Sequence, residues 1–208
     1  MCKQKGHAFC TELGSDFSLW CNESPMAKPR WIVEAYQVFE EVLKLIAAEK
    51  IENAKSLLEN SPDEHMRIWF DDHAQNSGVW RYKALGRSTP EPILPLDPVK
   101  SFKKYEPSIF VRDNFQCRYC SNPAIPKKIF RDAHKQLGSE ALPLGKTNRT
   151  RSGFYLMFVA TLDHVLPWSL GGRTNESNLV TCCWSCNYGK ANYTVEQLGI
   201  TNPFERNK

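Results

Sequence analysis

From Trp31 to about Asn60, apolar residues return at helical spacing: Ile32, Ala35, Tyr36, Phe39, Val42, Leu43, Leu45 and Ile46. This pattern predicts one long helix, or two joined near Lys50. A second start follows at Ser61-Pro62-Asp63-Glu64. Ser61 suits a cap, Pro62 the first helical position, and Glu64 the closing residue of a capping box. That helix carries Met66, Ile68, Trp69 and Phe70 and is expected to end near His73. The polar run from Asp71 to Asn76 holds ligand-capable side chains but reads more simply as a helix end. Residues 73–86 read as a loop with a short irregular piece. Residues 88–98 hold four prolines and predict an extended linker.

This division predicts a helical domain over residues 1–98 and a second domain over 99–208. The second half opens with a short helix or turn over 100–113. A first C-x-x-C, an insertion, an apolar strand over 154–162, a Gly-Gly loop, a short strand, a second C-x-x-C and a final helix follow. The insertion spans about 121–158, with a helix over 125–138 and a basic loop over 145–153. Strands and helices that do not alternate regularly point to an α+β fold.

Composition adds little until it is divided. The 208 residues are 41% hydrophobic and 24% charged, as in ordinary globular proteins. No apolar run is long enough to span a bilayer, so no membrane role is expected. The first residues lack the apolar core of a secretory signal, which predicts a cytoplasmic protein. The net charge of +4 is uneven: residues 101–208 carry 15 Lys and Arg against 8 Asp and Glu, leaving the first hundred at −3. A basic half joined to an acidic one predicts a polyanionic partner for the basic half.

Of eight cysteines, four form the pairs Cys117–Cys120 and Cys183–Cys186. Each C-x-x-C turn presents two thiolates, and four thiolates satisfy tetrahedral Zn²⁺ in a closed, structural site. Such a site supplements the small core of a domain of this size. Cys182 competes with Cys183 as a ligand, but Cys183 gives the paired spacing. Cys2, His7, Cys10 and Cys21 form a less regular second candidate.

The stretch from Thr161 to Lys190 carries the chemistry. Arg112-Asp113, Cys117 and Cys120 precede it. Within it stand Asp163-His164, Pro167, Ser169, Gly171-Gly172, Asn178, Cys183, Cys186, Asn187 and Lys190. In this order the residues resemble the zinc-containing HNH endonucleases, over about residues 109–195. The resemblance implies a ββα-metal, treble-clef-like domain and hydrolysis of phosphodiester bonds. It assigns His164 as general base, Asp163 and Asn187 as ligands of a catalytic ion, and Asn178 as the residue that ties the hairpin and holds the His164 loop.

The residue types agree with that chemistry. A neutral imidazole can activate water. A divalent ion can stabilise the charge on phosphate and leaving oxygen. Oxygen ligands favour Mg²⁺ or Mn²⁺ over zinc at the catalytic position. Neighbours in a strand point to opposite faces, so a bend or bulge is needed for Asp163 and His164 to serve one site. Asn187 also suits the cap of the final helix.

Arg112, Arg173, Lys190, Arg149 and Arg151 are the expected phosphate contacts, although Arg112 can instead tie the fold together. Lys127, Lys128 and Lys146 in the insertion could add to them, while His134 is expected at the surface. DNA is the expected substrate, and RNA presents the same bond. The competing reading is a non-catalytic, zinc-stabilised module that only binds nucleic acid. The helical half matches no requirement of the motif. It is left for a partner protein, substrate choice or a homodimer.

Overall fold

The structure is a computed structural model and describes residues 23–25, 28–74, 77–94, 96, 98 and 101–206. Cys2, His7, Cys10 and Cys21, the second candidate cluster, lie outside the described residues, as do Gln75 and Asn76. Among the described residues the fold is α+β, with helices around one two-stranded antiparallel sheet. Among the described residues, no helix is long and apolar enough to cross a membrane.

The chain from Trp31 to Asn60 forms two helices, α1 (Ile32–Ala47) and α2 (Ile51–Glu59). The break falls at Glu49, whose φ of 59° no helix continues through. Helix α1 buries Ile32, Ala35, Phe39 and Val42, and α2 buries Ala54 and Leu58, each set spaced by three or four residues.

Helix α3 (Asp63–Trp69) starts without the expected capping box. The Ser61 hydroxyl turns back and donates to the Leu58 carbonyl of α2. Asp63 instead accepts the backbone N–H of Phe154. A π-helical turn, Phe70–Ala74, then extends the helix. The expected loop after it is a helix, α4 (Ser77–Leu85).

Past residues 88–94, which belong to no helix or strand, come a 3₁₀ turn (Phe102–Lys104) and α5 (Glu106–Arg112). Helix α6 (Lys127–Ala141) occupies the insertion and loses helical geometry at Gly138, with φ 87°. The apolar run over 154–162 is not a strand throughout. Most of it is α7 (Gly153–Phe158), capped by the Ser152 hydroxyl, and only its end joins β1 (Ala160–His164). All six α7 residues are buried, so the helix needs no polar face. Strand β2 (Leu179–Cys183), α8 (Trp184–Lys190) and α9 (Val195–Leu198) complete the order.

One buried core runs through both halves of the sequence, from Ile32 and Phe39 to Phe130, Phe154, Val180 and Leu198. Phe39 of α1 stacks on Phe130 of α6 at 4.8 Å and on Phe154 of α7 at 5.3 Å. The apolar faces of α1 to α3 are thus spent against the insertion and α7, which in turn lead into the hairpin. A smaller cluster of Ile109, Phe110, Ala124, Ala160, Leu162 and Leu179 packs α5 on the other side of the sheet.

Candidate active site and metal centre

The four paired cysteines converge. The Sγ atoms of Cys117, Cys120, Cys183 and Cys186 all lie within 4.8 Å of one another, and Cys120 and Cys183 are 3.7 Å apart. Thiolates on a zinc tetrahedron at about 2.3 Å stand about 3.8 Å from each other. The cluster is therefore positioned to bind a metal ion and fits zinc. Two turns make it. Around Cys117, Ser121 adopts φ 60° and donates its N–H to the Cys117 carbonyl. Cys183 ends β2 and directly precedes α8, whose first turn presents Cys186. The Arg118 N–H joins the first turn to the Thr181 carbonyl of β2. Cys182 is buried but outside the cluster, and its thiol donates to the Cys183 carbonyl.

Strand β1 pairs with β2 without interruption, Asp163 opposite Val180 and His164 opposite Leu179. The expected bend at the Asp-His pair is absent from this register. The two side chains accordingly meet different neighbours. Asp163 turns inward, where its Oδ2 accepts from the Tyr119 hydroxyl at 2.7 Å and lies 3.2 Å from Lys190 Nζ. Its Oδ1 has a single, longer contact, 3.5 Å, with the same ammonium. Burial, with the Asp163 carboxylate beside it, pushes the Tyr119 phenol well above its ordinary pKa and keeps it a donor. Tyr119, the third residue of the first C-x-x-C, has no signal in the sequence apart from that position.

His164 lies at the edge of the opposite side. Its Nε2 is 2.9 Å from the Thr174 hydroxyl, and its ring meets Phe102 at 5.3 Å. Burial lowers the His164 pKa below the usual imidazole value, the Asp163 charge opposes this, and Lys190 adds to it. The ring is therefore neutral at neutral pH, the form a general base requires. Thr174 and Phe102 escaped sequence reasoning because neither belongs to a spacing pattern.

Asn178 spans the loop that follows His164. Its Oδ1 accepts from Leu166 N–H, and its Nδ2 donates to the Leu166 and Arg173 carbonyls. Its own carbonyl takes the Val165 N–H. The loop closes on the two glycines: Gly171 has φ 92°, and a Cβ on Gly172 would stand 1.8 Å from the Leu166 carbonyl oxygen. Asn187 sits in α8 and donates to Thr161 Oγ1 at 2.9 Å and to the Leu162 carbonyl, leaving its amide oxygen for other partners. It does not cap that helix. Three residues on, Lys190 shares its face.

Several expected phosphate contacts are spent inside the protein. Lys190 is fully buried and donates to the His164 carbonyl at 2.8 Å, so it binds the hairpin rather than an outside ligand. Arg112 forks onto the Asp113 carboxylate and donates to the Glu176 and Leu179 carbonyls, while Asp113 accepts Thr181 N–H. It ties α5 to β2. Arg151 donates to the Gly145 and Lys146 carbonyls and to Asn148, and its guanidinium lies over Tyr155 and Trp184. Arg149 and Arg173 are exposed, and His134 is half-buried, bonded to the Leu142 carbonyl.

Residues 158–201 match the family model of the HNH endonucleases. The matched segment runs from the end of α7 through both strands and α8 to just beyond α9. It holds Cys183 and Cys186, while Cys117 and Cys120 precede it and complete the cluster. No curated protein and no solved structure matches the chain.

Proposed function

We propose that the chain is an endonuclease that hydrolyses phosphodiester bonds of DNA, with His164 as the general base. The observation that carries this reading is the state of His164: a ring at the end of a hairpin within the matched segment, oriented by Thr174 and kept neutral by partial burial. A neutral imidazole within reach of a water can take its proton as the water attacks phosphorus. Thr174 fixes the ring, and Asn178 fixes the loop that carries Thr174 past it.

The four cysteines would hold Zn²⁺, which closes the fold and leaves no position open for water. For the catalytic ion, the oxygen donors this reading offers are Asp163 Oδ1, the less engaged of its two oxygens, and the Asn187 amide oxygen; because β1 runs unbent through the Asp163–His164 pair, the reading requires the end of β1 to bend for the ion to stand beside the base. These hard donors suit Mg²⁺ or Mn²⁺. Such an ion supplies charge stabilisation to phosphate and leaving oxygen. Lys190 would hold Asp163 in place and offset its charge before the ion binds.

One observation favours a second reading, a zinc-stabilised module that binds nucleic acid without cutting it. Asp163 is already matched by Lys190 and Tyr119. Plasmid cutting with Mg²⁺ or Mn²⁺, run beside a gel shift without added metal, separates the two. Cutting supports the endonuclease, and a shift without cutting supports the module.

A further inference from the structure

A cleft of about 790 Å³ opens between the 3₁₀ turn, α5, the start of α6 and the hairpin. Its floor is apolar: the half-buried Phe102, Pro126 and Trp184 line it with the buried Phe110, Val159 and Leu162, and Thr161 and Asn187 also belong to the lining. Its rim is cationic: the exposed Lys127, Lys128 and Arg131 of α6 line it, with the exposed Lys103 of the 3₁₀ turn. Lys127 and Arg131 are one helical turn apart and both exposed. Lys128 is paired with Asp132, whereas no ion pair involves Lys103, Lys127 or Arg131 among the described residues. Glu106 is the one acid among the residues that line the cleft. Phe102 belongs to the cleft wall and also touches the His164 ring, so the cleft leads to the candidate base.

We propose that this cleft binds one unpaired strand of nucleic acid beside the cut, with bases against the apolar floor and phosphates on the α6 rim. The inference rests on the endonuclease reading and narrows its substrate to a single-stranded or locally opened region. Its basis is the two-part lining. An unpaired nucleotide offers an apolar face and a charged phosphate at once, and both parts of the cleft are then used. A duplex keeps its bases stacked inside and could meet only the rim. The volume agrees, since pockets of about 300–1,000 Å³ take ligands the size of one or two nucleotides. Of the rim cations, Lys127, Lys128 and Arg131 belong to α6 and Lys103 to the 3₁₀ turn, all outside the matched segment.

The test is fluorescence anisotropy of labelled oligo(dT) and of a blunt duplex of equal length, without added Mg²⁺ or Mn²⁺. It uses the full zinc-loaded chain, the double variant Lys127→Glu/Arg131→Glu, and Lys44→Glu on the exposed side of α1. The wild type should bind oligo(dT) about tenfold more tightly than duplex. The double variant should lose about tenfold and flatten the dependence of log affinity on log salt by about 0.7 per lost contact. Lys44→Glu should change neither, and the double variant should melt like the wild type. Preference for duplex, or an unchanged affinity and salt slope in the double variant, overturns the cleft assignment. Binding that follows these expectations in a protein that never cuts overturns the catalytic reading alone.

Discussion

The ammonium of Lys190 and the carboxylate of Asp163 lie 3.2 Å apart, with side chains 0% and 8% exposed. This is a buried pair, completed by the Tyr119 hydroxyl on Asp163 and the His164 carbonyl on Lys190. Deleting one member of such a pair leaves the other charge buried and unmatched, which costs about 3–5 kcal/mol. Lys190→Met should therefore lower the unfolding free energy by that order in urea titration. A loss below about 1 kcal/mol, the scale of an exposed pair, would show that the two charges do not meet inside.

The metal cluster gives a sharper contrast. Cys182 and Cys183 are neighbours, yet only Cys183 belongs to the four. Cys183→Ala should lose bound zinc and lower the melting temperature of the chain. Cys182→Ala should keep one zinc per chain. Zinc content by plasma emission settles it, and equal zinc in both variants would refute the assignment.

Asn178 makes three side-chain hydrogen bonds across the loop from Leu166 to Arg173. Asn178→Ala leaves backbone groups without partners, at a cost of about 1–3 kcal/mol. Cutting should fall further than stability alone explains, because the same loop brings Thr174 to His164. Full activity in a destabilised Asn178→Ala protein would separate the loop from the chemistry.

The His164 pKa lies below the ordinary imidazole value in the folded protein, chiefly through burial. A general base works unprotonated, so cutting that depends on His164 should fall off with a midpoint below pH 6.5. The unfolded ring takes up its proton first, near pH 6.5, so the stability owed to a neutral His164 is fully present above that value and is lost as pH falls from there through the lower folded value. Cutting by wild type across a pH series checks the first statement. A decline centred above pH 6.5 would contradict the lowered value.

The sequence displayed what depends on spacing and hid what depends on burial. The helical stretch from Trp31 to Asn60, the α6 helix and the two C-x-x-C turns follow from periodicity and pairing, and all are present, while periodicity left open one helix or two and the structure has two. Helix α7 was legible only as an apolar run, because a fully buried helix has no polar face to mark its period. Helix α4 was obscured by Ser77 and Gly78 at its start, and tertiary packing overrides that local preference. At the site, Lys190, Arg112 and Arg151 show charge in the sequence but not that carboxylates, carbonyls and aromatic faces occupy that charge. Tyr119, which holds Asp163, lies 44 residues away and shows in the sequence only as part of the first C-x-x-C turn, while Thr174, which holds His164, lies in the following loop at no motif position.

Plasmid cleavage by wild type beside His164→Ala decides whether His164 is the base of a metal-dependent nuclease. Wild type should nick or linearise supercoiled DNA in Mg²⁺ or Mn²⁺. His164→Ala should lose about 10²–10⁴-fold in rate while zinc content and melting stay unchanged. Normal cutting by His164→Ala, or no cutting by wild type under any of these conditions, would contradict that assignment.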